Sequence, residues 1–143
     1  MIRFELVTLN GTKHKEEVYQ VVVPTPDGYI GVFKDHASLV SLVTPGVISV
    51  RQKQNQPDEH MPIYATNGGV VEIMNNEVRV LVDEADAADE LNEAEIQEAI
   101  EAARRLKSAA KDQVSLDKAQ QLIDRAAVRL KVADLRRRRK RPV

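Results

Sequence analysis

Near Val82 this chain changes its period. Up to that point apolar residues alternate with polar ones, as Ile2, Phe4 and Leu6 do; beyond it alanines and larger aliphatics recur at steps of three and four. A side-chain period of two belongs to half-buried strands and a period near 3.6 to helices. The 143 residues therefore divide into a β-type body followed by a helical arm, which ends in Arg136-Arg137-Arg138-Arg139-Lys140-Arg141.

Within the body, Ile2 to Leu6 and Tyr19 to Val23 read as strands, closed by turn residues at Asn10-Gly11 and at Pro24-Thr25-Pro26-Asp27-Gly28. Tyr29 to Phe33, Gly46 to Gln52, Met61 to Thr66, Gly69 to Met74 and Val78 to Val82 continue the series. Ala37 to Leu42 reads equally as strand or as a turn of helix. Asn75-Asn76 suits a tight hairpin, because asparagine tolerates positive φ. Gly68-Gly69 lacks the lysine and following helix of a phosphate loop, so close approach of two backbones is its expected role. Short strands this closely spaced predict an antiparallel sandwich or flattened barrel.

The arm carries its own punctuation. Asn92 with Glu95 resembles a capping box, and Ile96, Ala99, Ile100, Ala103, Leu106 and Ala110 then share a face. Lys111 to Val114 breaks the pattern. Ser115 is the expected cap of a second helix, along which Leu116, Ala119, Ile123, Ala126, Leu130 and Ala133 recur, so the arm is predicted to be an antiparallel helical hairpin. Each seam alanine contributes roughly one methyl, about 0.8 kcal/mol at best, and each larger aliphatic about 1.5–3 kcal/mol if fully buried. Against the entropy of ordering the arm this is marginal, and a marginal amphipathic element is one that can leave its own body for a partner. A second helix from Ser115 to Lys140 is roughly 38 Å long, and the two helices end to end span roughly 65–70 Å.

Charge is unevenly shared. Residues 1–87 hold 7 basic and 12 acidic side chains, and residues 88–143 hold 14 and 10. The basic tail is expected to seek an acidic surface. There is no cysteine, which excludes disulfides and thiolate metal sites. No apolar run is long enough to cross a bilayer and no secretion signal opens the chain, so a soluble protein without direct membrane insertion is expected. No catalytic constellation is visible: His36 lies in a loop without an orienting partner, and His14 and His60 are expected in turns. Asp83, Glu84, Asp86, Asp89 and Glu90 read as a solvated linker. Neither a metal nor a cofactor is expected.

Taken in order, Gly28 to Phe33, His36-Ala37 with Leu39-Val40, Pro45 to Ile48, Asn67 to Ile73 and Val80 to Asp83 resemble the ε subunit of F-type ATP synthase. The likeness continues through Asp117-Lys118-Ala119, Arg125-Ala126 and Arg129 to Ala133, and covers nearly the whole chain. It implies a fold of class β + α: an N-terminal antiparallel β-sandwich of ten strands, residues 1–84, followed by a C-terminal antiparallel two-helix hairpin arm with its basic tail, residues 85–143. It also implies a non-catalytic central-stalk subunit that couples the γ shaft to the membrane c-ring and inhibits ATP hydrolysis when the arm extends into the catalytic head. Partners implied are the γ subunit, the c-ring, and the β and α subunits, with peripheral placement on the cytoplasmic face of a bacterial plasma membrane.

Carried over residue by residue, Asp27, Gly28, Tyr29 and His36 are the expected ring contacts. Arg125, Arg129, Lys131, Arg136, Arg137, Arg138 and Arg139 are expected to meet an acidic loop of the β subunit. Leu122, Ile123, Leu130 and Leu135 form the arm seam or dock on γ. Two departures stand out. Lys34-Asp35 replaces the family's usual Pro-Gly before the histidine. In Leu91 to Ile96 the aspartate and arginine of an ATP-binding motif are missing. Asp86, Arg125 and Arg129 match the rest of that ATP site, but Glu95 in place of arginine would repel a phosphate, so weak ATP binding or none is expected. Two other readings are a nucleic-acid-binding module acting through the basic tail, disfavoured by scarce aromatics and an acidic body, and an ATP-sensing hairpin.

Overall fold

A computed structural model describes residues 1–139; Lys140 and Arg141 of the basic tail lie outside the described residues. Ten strands form two five-stranded sheets. The first has the order β2 (Gly11–Val18), β1 (Ile2–Thr8), β9 (Glu77–Val82), β8 (Gly69–Met74), β5 (Leu39–Val43). The second has the order β10 (Ala85–Ala87), β7 (Ile63–Thr66), β6 (Gly46–Arg51), β3 (Gln20–Thr25), β4 (Gly28–Val32). All pairings are antiparallel except β1 with β9, which run parallel. The expected β-sandwich followed by two helices is what the chain forms.

Alternation explains the layering. Ile2, Phe4 and Leu6 of β1, Val78, Val80 and Val82 of β9, and Val21, Val23, Ile48 and Val50 of the opposite sheet meet in one core. β6 and β7 are apolar on both faces, since Val47, Ile63 and Ala65 belong to a second cluster on the outer side. Near-continuous apolar runs are what a strand covered on both sides requires. Asn75 and Asn76 turn the β8–β9 hairpin at φ 51° and 62°. Gly69 is where backbones close up, because an added Cβ there would meet Leu81 and Val82 main-chain atoms.

Several local expectations change. Of Ala37 to Leu42, the part from Leu39 on is the strand β5, paired with β8. β2 is a full strand that alternation does not reveal, since an edge strand with Lys13, Lys15, Glu16 and Glu17 has little apolar face to show. His14 accordingly lies in a strand rather than a turn, and His60 ends a short 3-10 turn, Asp58–His60. β10 carries the second sheet past Glu84 to Ala87.

The helices are α1 (Glu93–Ala109) and α2 (Gln113–Arg139). Asn92 caps α1 by accepting the Glu95 N–H at 3.2 Å. Asp112, not Ser115, caps α2: its Oδ1 accepts the Ser115 N–H at 2.7 Å, which also holds the Asp112 carboxyl below its ordinary pKa. The break is thus shorter than expected. Ile96, Ile100, Ala126, Val132 and Ala133 pack with Leu91 onto Val47, Ile63 and Ala65, so the hairpin lies on the outer face of the second sheet. Its tip is less covered than the seam pattern predicts. Ala99 is exposed, and Leu106, Val114 and Leu122 are open to solvent.

Candidate functional site

Two surfaces emerge, one where the arm is held and one left open. On the first, the linker between β9 and β10, β10 itself and the turn Ala88–Glu90 present three carboxylates to three cations. Arg125 of α2 donates through Nε and Nη2 to both oxygens of Glu84. One helical turn on, Arg129 Nε faces Asp86 Oδ2 at 3.2 Å. Lys13 Nζ of β2 meets Glu90 Oε1 at 2.5 Å. The acidic run is therefore no solvated linker; three of its five members are ion-paired, two of them to the arm. Burial pushes the Asp86 carboxyl above its ordinary pKa, with Glu84 and Glu90 acting in the same direction and Arg129 and Lys13 against it.

Further along α2, Arg139 Nη1 donates to the Met61 carbonyl at 2.8 Å. Arg137 reaches Asp134 at 2.5 Å and Glu93 at 3.5 Å, and Arg138 reaches Asp134 at 3.0 Å. Lys131 is exposed and Arg136 half-buried.

The open surface is the outer face of the first sheet. Cross-strand register places Val7 beside Leu81, Leu81 beside Val70, and Val70 beside Leu42, an apolar row across four strands. Leu42 is 63% exposed and Val40 65%. In the neighbouring rows Glu5 pairs with Arg79 at 3.5 Å and Arg3 with Glu77 at 2.5 Å, while Glu72, opposite Arg79 on β8, is exposed. The sequence reading missed this face. The signal was present: outward positions of β5, β8 and β9 hold aliphatics where a solvated strand would alternate to polar residues.

The family profile described as the β-sandwich domain of the ATP synthase delta/epsilon chain matches residues 1–88. An ATP synthase epsilon chain of Herpetosiphon aurantiacus is 34% identical over 142 residues, covering 96% of this chain and 98% of that one. The chain belongs to the ATP synthase epsilon chain family. An epsilon chain of Neisseria meningitidis is 32% identical, covering 99% of both chains. Among solved structures, a chain of the Euglena gracilis mitochondrial ATP synthase superposes with a TM-score of 0.78 at 22% identity, covering 92% of this chain and 80% of that one. A chain from the central stalk and c-ring of the Tetrahymena thermophila enzyme gives 0.57 at 12% identity, covering 92% and 95%. At such identities these two likenesses concern the fold.

In this epsilon chain the residues expected to touch a ring do not form one cluster. Asp27 and Gly28 sit at the β3–β4 turn, where Gly28 has φ +112° and its carbonyl accepts from Thr25 Oγ1 at 2.6 Å. Tyr29 follows on β4, half-exposed, its hydroxyl accepting the Val47 N–H at 3.2 Å. His36 lies beyond the other end of β4, roughly 16 Å of strand away. Its loop, containing Lys34-Asp35, is tied instead to the β8–β9 hairpin, with the Asp35 N–H donating to Asn76 Oδ1 at 2.6 Å.

Of the expected ATP-site residues, Asp86, Arg125 and Arg129 do come together, already engaged with protein carboxylates or cations. Leu130 and Leu135 pack against the outer cluster, Ile123 is half-buried and Leu122 exposed. His14 has partners the sequence did not disclose: its Nδ1 lies 2.6 Å from the Tyr64 hydroxyl and its Nε2 2.8 Å from Glu16. Burial raises Tyr64 to about 12, and the Gln52 side chain, by donating to Glu16, lowers that carboxyl.

Proposed function

We propose that this epsilon chain is a non-catalytic central-stalk subunit of ATP synthase, whose sandwich links the γ shaft to the membrane c-ring and whose arm restrains ATP hydrolysis by leaving the sandwich for the catalytic head. The observation that carries the reading is the way the arm is held. Its buried side of a few aliphatics, Ile96, Ile100 and Val132, is eked out with alanines, Ala103, Ala119, Ala126 and Ala133, and the two cations it turns to the sandwich, Arg125 and Arg129, are side chains expected to meet an acidic loop of the β subunit. One set of arginines cannot serve both surfaces at once, so docking on the sandwich and insertion into the head compete. The exposed Leu106, Val114 and Leu122 are apolar surface that the docked arm leaves open to a partner.

The apolar row from Val7 to Leu42 is the surface assigned to γ. No helix among the described residues is long and apolar enough to cross a membrane, which fits attachment to the membrane through partner subunits. Two measurements test the reading: co-purification with γ, and ATP hydrolysis by the reconstituted complex. A chain truncated after Ala87 should still bind γ and should let the complex hydrolyse ATP faster. Absence of γ binding at micromolar concentration would overturn the coupling role, and unchanged hydrolysis would overturn the inhibitory one.

A further inference from the structure

The three ion pairs under the arm are not equally well made. The outer two are direct: Glu84 takes both nitrogens of Arg125, and Glu90 takes Lys13 at 2.5 Å. The middle one is not. Arg129 Nε and Asp86 Oδ2 face each other at 3.2 Å out of line for a hydrogen bond, both atoms are buried, and neither has another hydrogen-bond partner among the described residues. Asp86 is also flanked by two like charges, Glu84 and Glu90.

We propose that Asp86 is a release element, a carboxylate whose burial under α2 opposes docking of the arm, while Glu84 with Arg125 supplies the retaining contact. A buried charge loses hydration, and an ion pair repays that loss only when its geometry is good and its remaining lone pairs are bonded. At Asp86 the geometry is poor and the buried oxygen, Oδ2, accepts no hydrogen bond. When the arm lifts, the carboxylate regains water and Arg129 is freed for another acidic surface. The hairpin is thus kept close to the point of release by one badly matched residue in its seat.

The electrostatic direction agrees. With Asp86 raised in the docked state, protonation favours docking, so acidification tightens the arm and a rise in pH loosens it. Facing this carboxylate are Arg129 from α2, Glu84 from the strand linker, Glu90 from the 3-10 turn and Lys13 from β2, with Arg125 taken up by Glu84. His14 bonds Tyr64 and Glu16 instead.

The inference rests on the reading that the arm leaves the sandwich in service, but its test needs no partner and no hydrolysis assay. Hydrogen exchange of α1 and α2 is measured on the full chain alone, as wild type, Asp86→Asn and Glu84→Gln. Asp86→Asn is expected to slow exchange of the arm about threefold or more, and Glu84→Gln to speed it by a similar factor. Asp86→Ala, which lacks any charge or amide, should also slow it. After correction for intrinsic rates, lowering the pH from 7 towards the ordinary carboxylate range, about pH 4, should protect the wild-type arm relative to Asp86→Asn, and the two should converge at the acid end. Equal or faster exchange in both Asp86 variants, with strand protection intact, overturns the proposal; so does a wild type that tracks Asp86→Asn at every pH.

Discussion

Gly69 and Val82 lie back to back across the β8–β9 pairing: a Cβ built on Gly69 would stand 2.8 Å from the Val82 Cα and closer still to the Leu81 carbonyl. No flexible side chain is there to move aside. Gly69→Ala is therefore expected to cost about 3 kcal/mol through backbone displacement in the central strands of the first sheet. Urea unfolding should show a lower midpoint at unchanged slope, and a loss below about 1 kcal/mol would mean that β8 shifts without penalty.

The apolar row on the first sheet makes a selective prediction. Leu42→Arg adds a charge at an exposed position, so stability should change by less than about 0.5 kcal/mol. Affinity for γ should fall by about 2 kcal/mol, roughly thirtyfold, as for a central apolar anchor. Titration calorimetry with γ reads this directly; unchanged affinity would place γ elsewhere.

Arg125 and Glu84 are both partly exposed, which limits their pair to about 0.2–1 kcal/mol and makes it sensitive to salt. Arg125→Glu should speed exchange of α2 about fivefold. Combining it with Glu84→Arg should restore much of the protection, and failure of that rescue would show that Arg125 acts through packing alone.

Tyr64 gives a prediction at alkaline pH. Its folded pKa, raised to about 12, lies above the ordinary value near 10, so its contribution to stability is complete below pH 10 and is lost as pH rises through 12. The slope reaches about 1.4 kcal/mol per pH unit for one proton. Tyr64→Phe removes that slope. Unfolding free energies at pH 9, 10 and 11 for both chains test it, and parallel curves would reject the assignment.

Nucleotide binding is the remaining expectation. Arg125 and Arg129 already face Glu84 and Asp86, so a triphosphate would have to displace protein carboxylates and tolerate Glu90 and Asp86 nearby. Calorimetry of the isolated chain with ATP is expected to give no heat up to about millimolar concentration. Measurable binding would mean that the carboxylates give way.

How far the sequence discloses this protein depends on where burial is two-sided. Strands with one apolar face, such as Ile2 to Leu6 and Val78 to Val82, are legible because the core imposes a period of two. β2 is hidden because, at the edge, its lysines and glutamates meet water on most sides. The start of α2 is misplaced because Ser115 and Asp112 are both competent caps, and only the bond to the Ser115 N–H decides between them. Glu84 and Asp86 as partners of Arg125 and Arg129 lie some forty residues away in sequence, a relationship created by the hairpin folding back. Carboxylates beside a junction carry no local pattern that announces it.

The parallel pairing of β1 with β9 has a consequence for synthesis. The first strand of the sheet must wait for the ninth, so a nascent chain leaving the ribosome cannot close this body until Val82 has emerged. The arm is then added to a finished object, and an arm acquired last can be shortened, retuned or lost without reopening what it rests on.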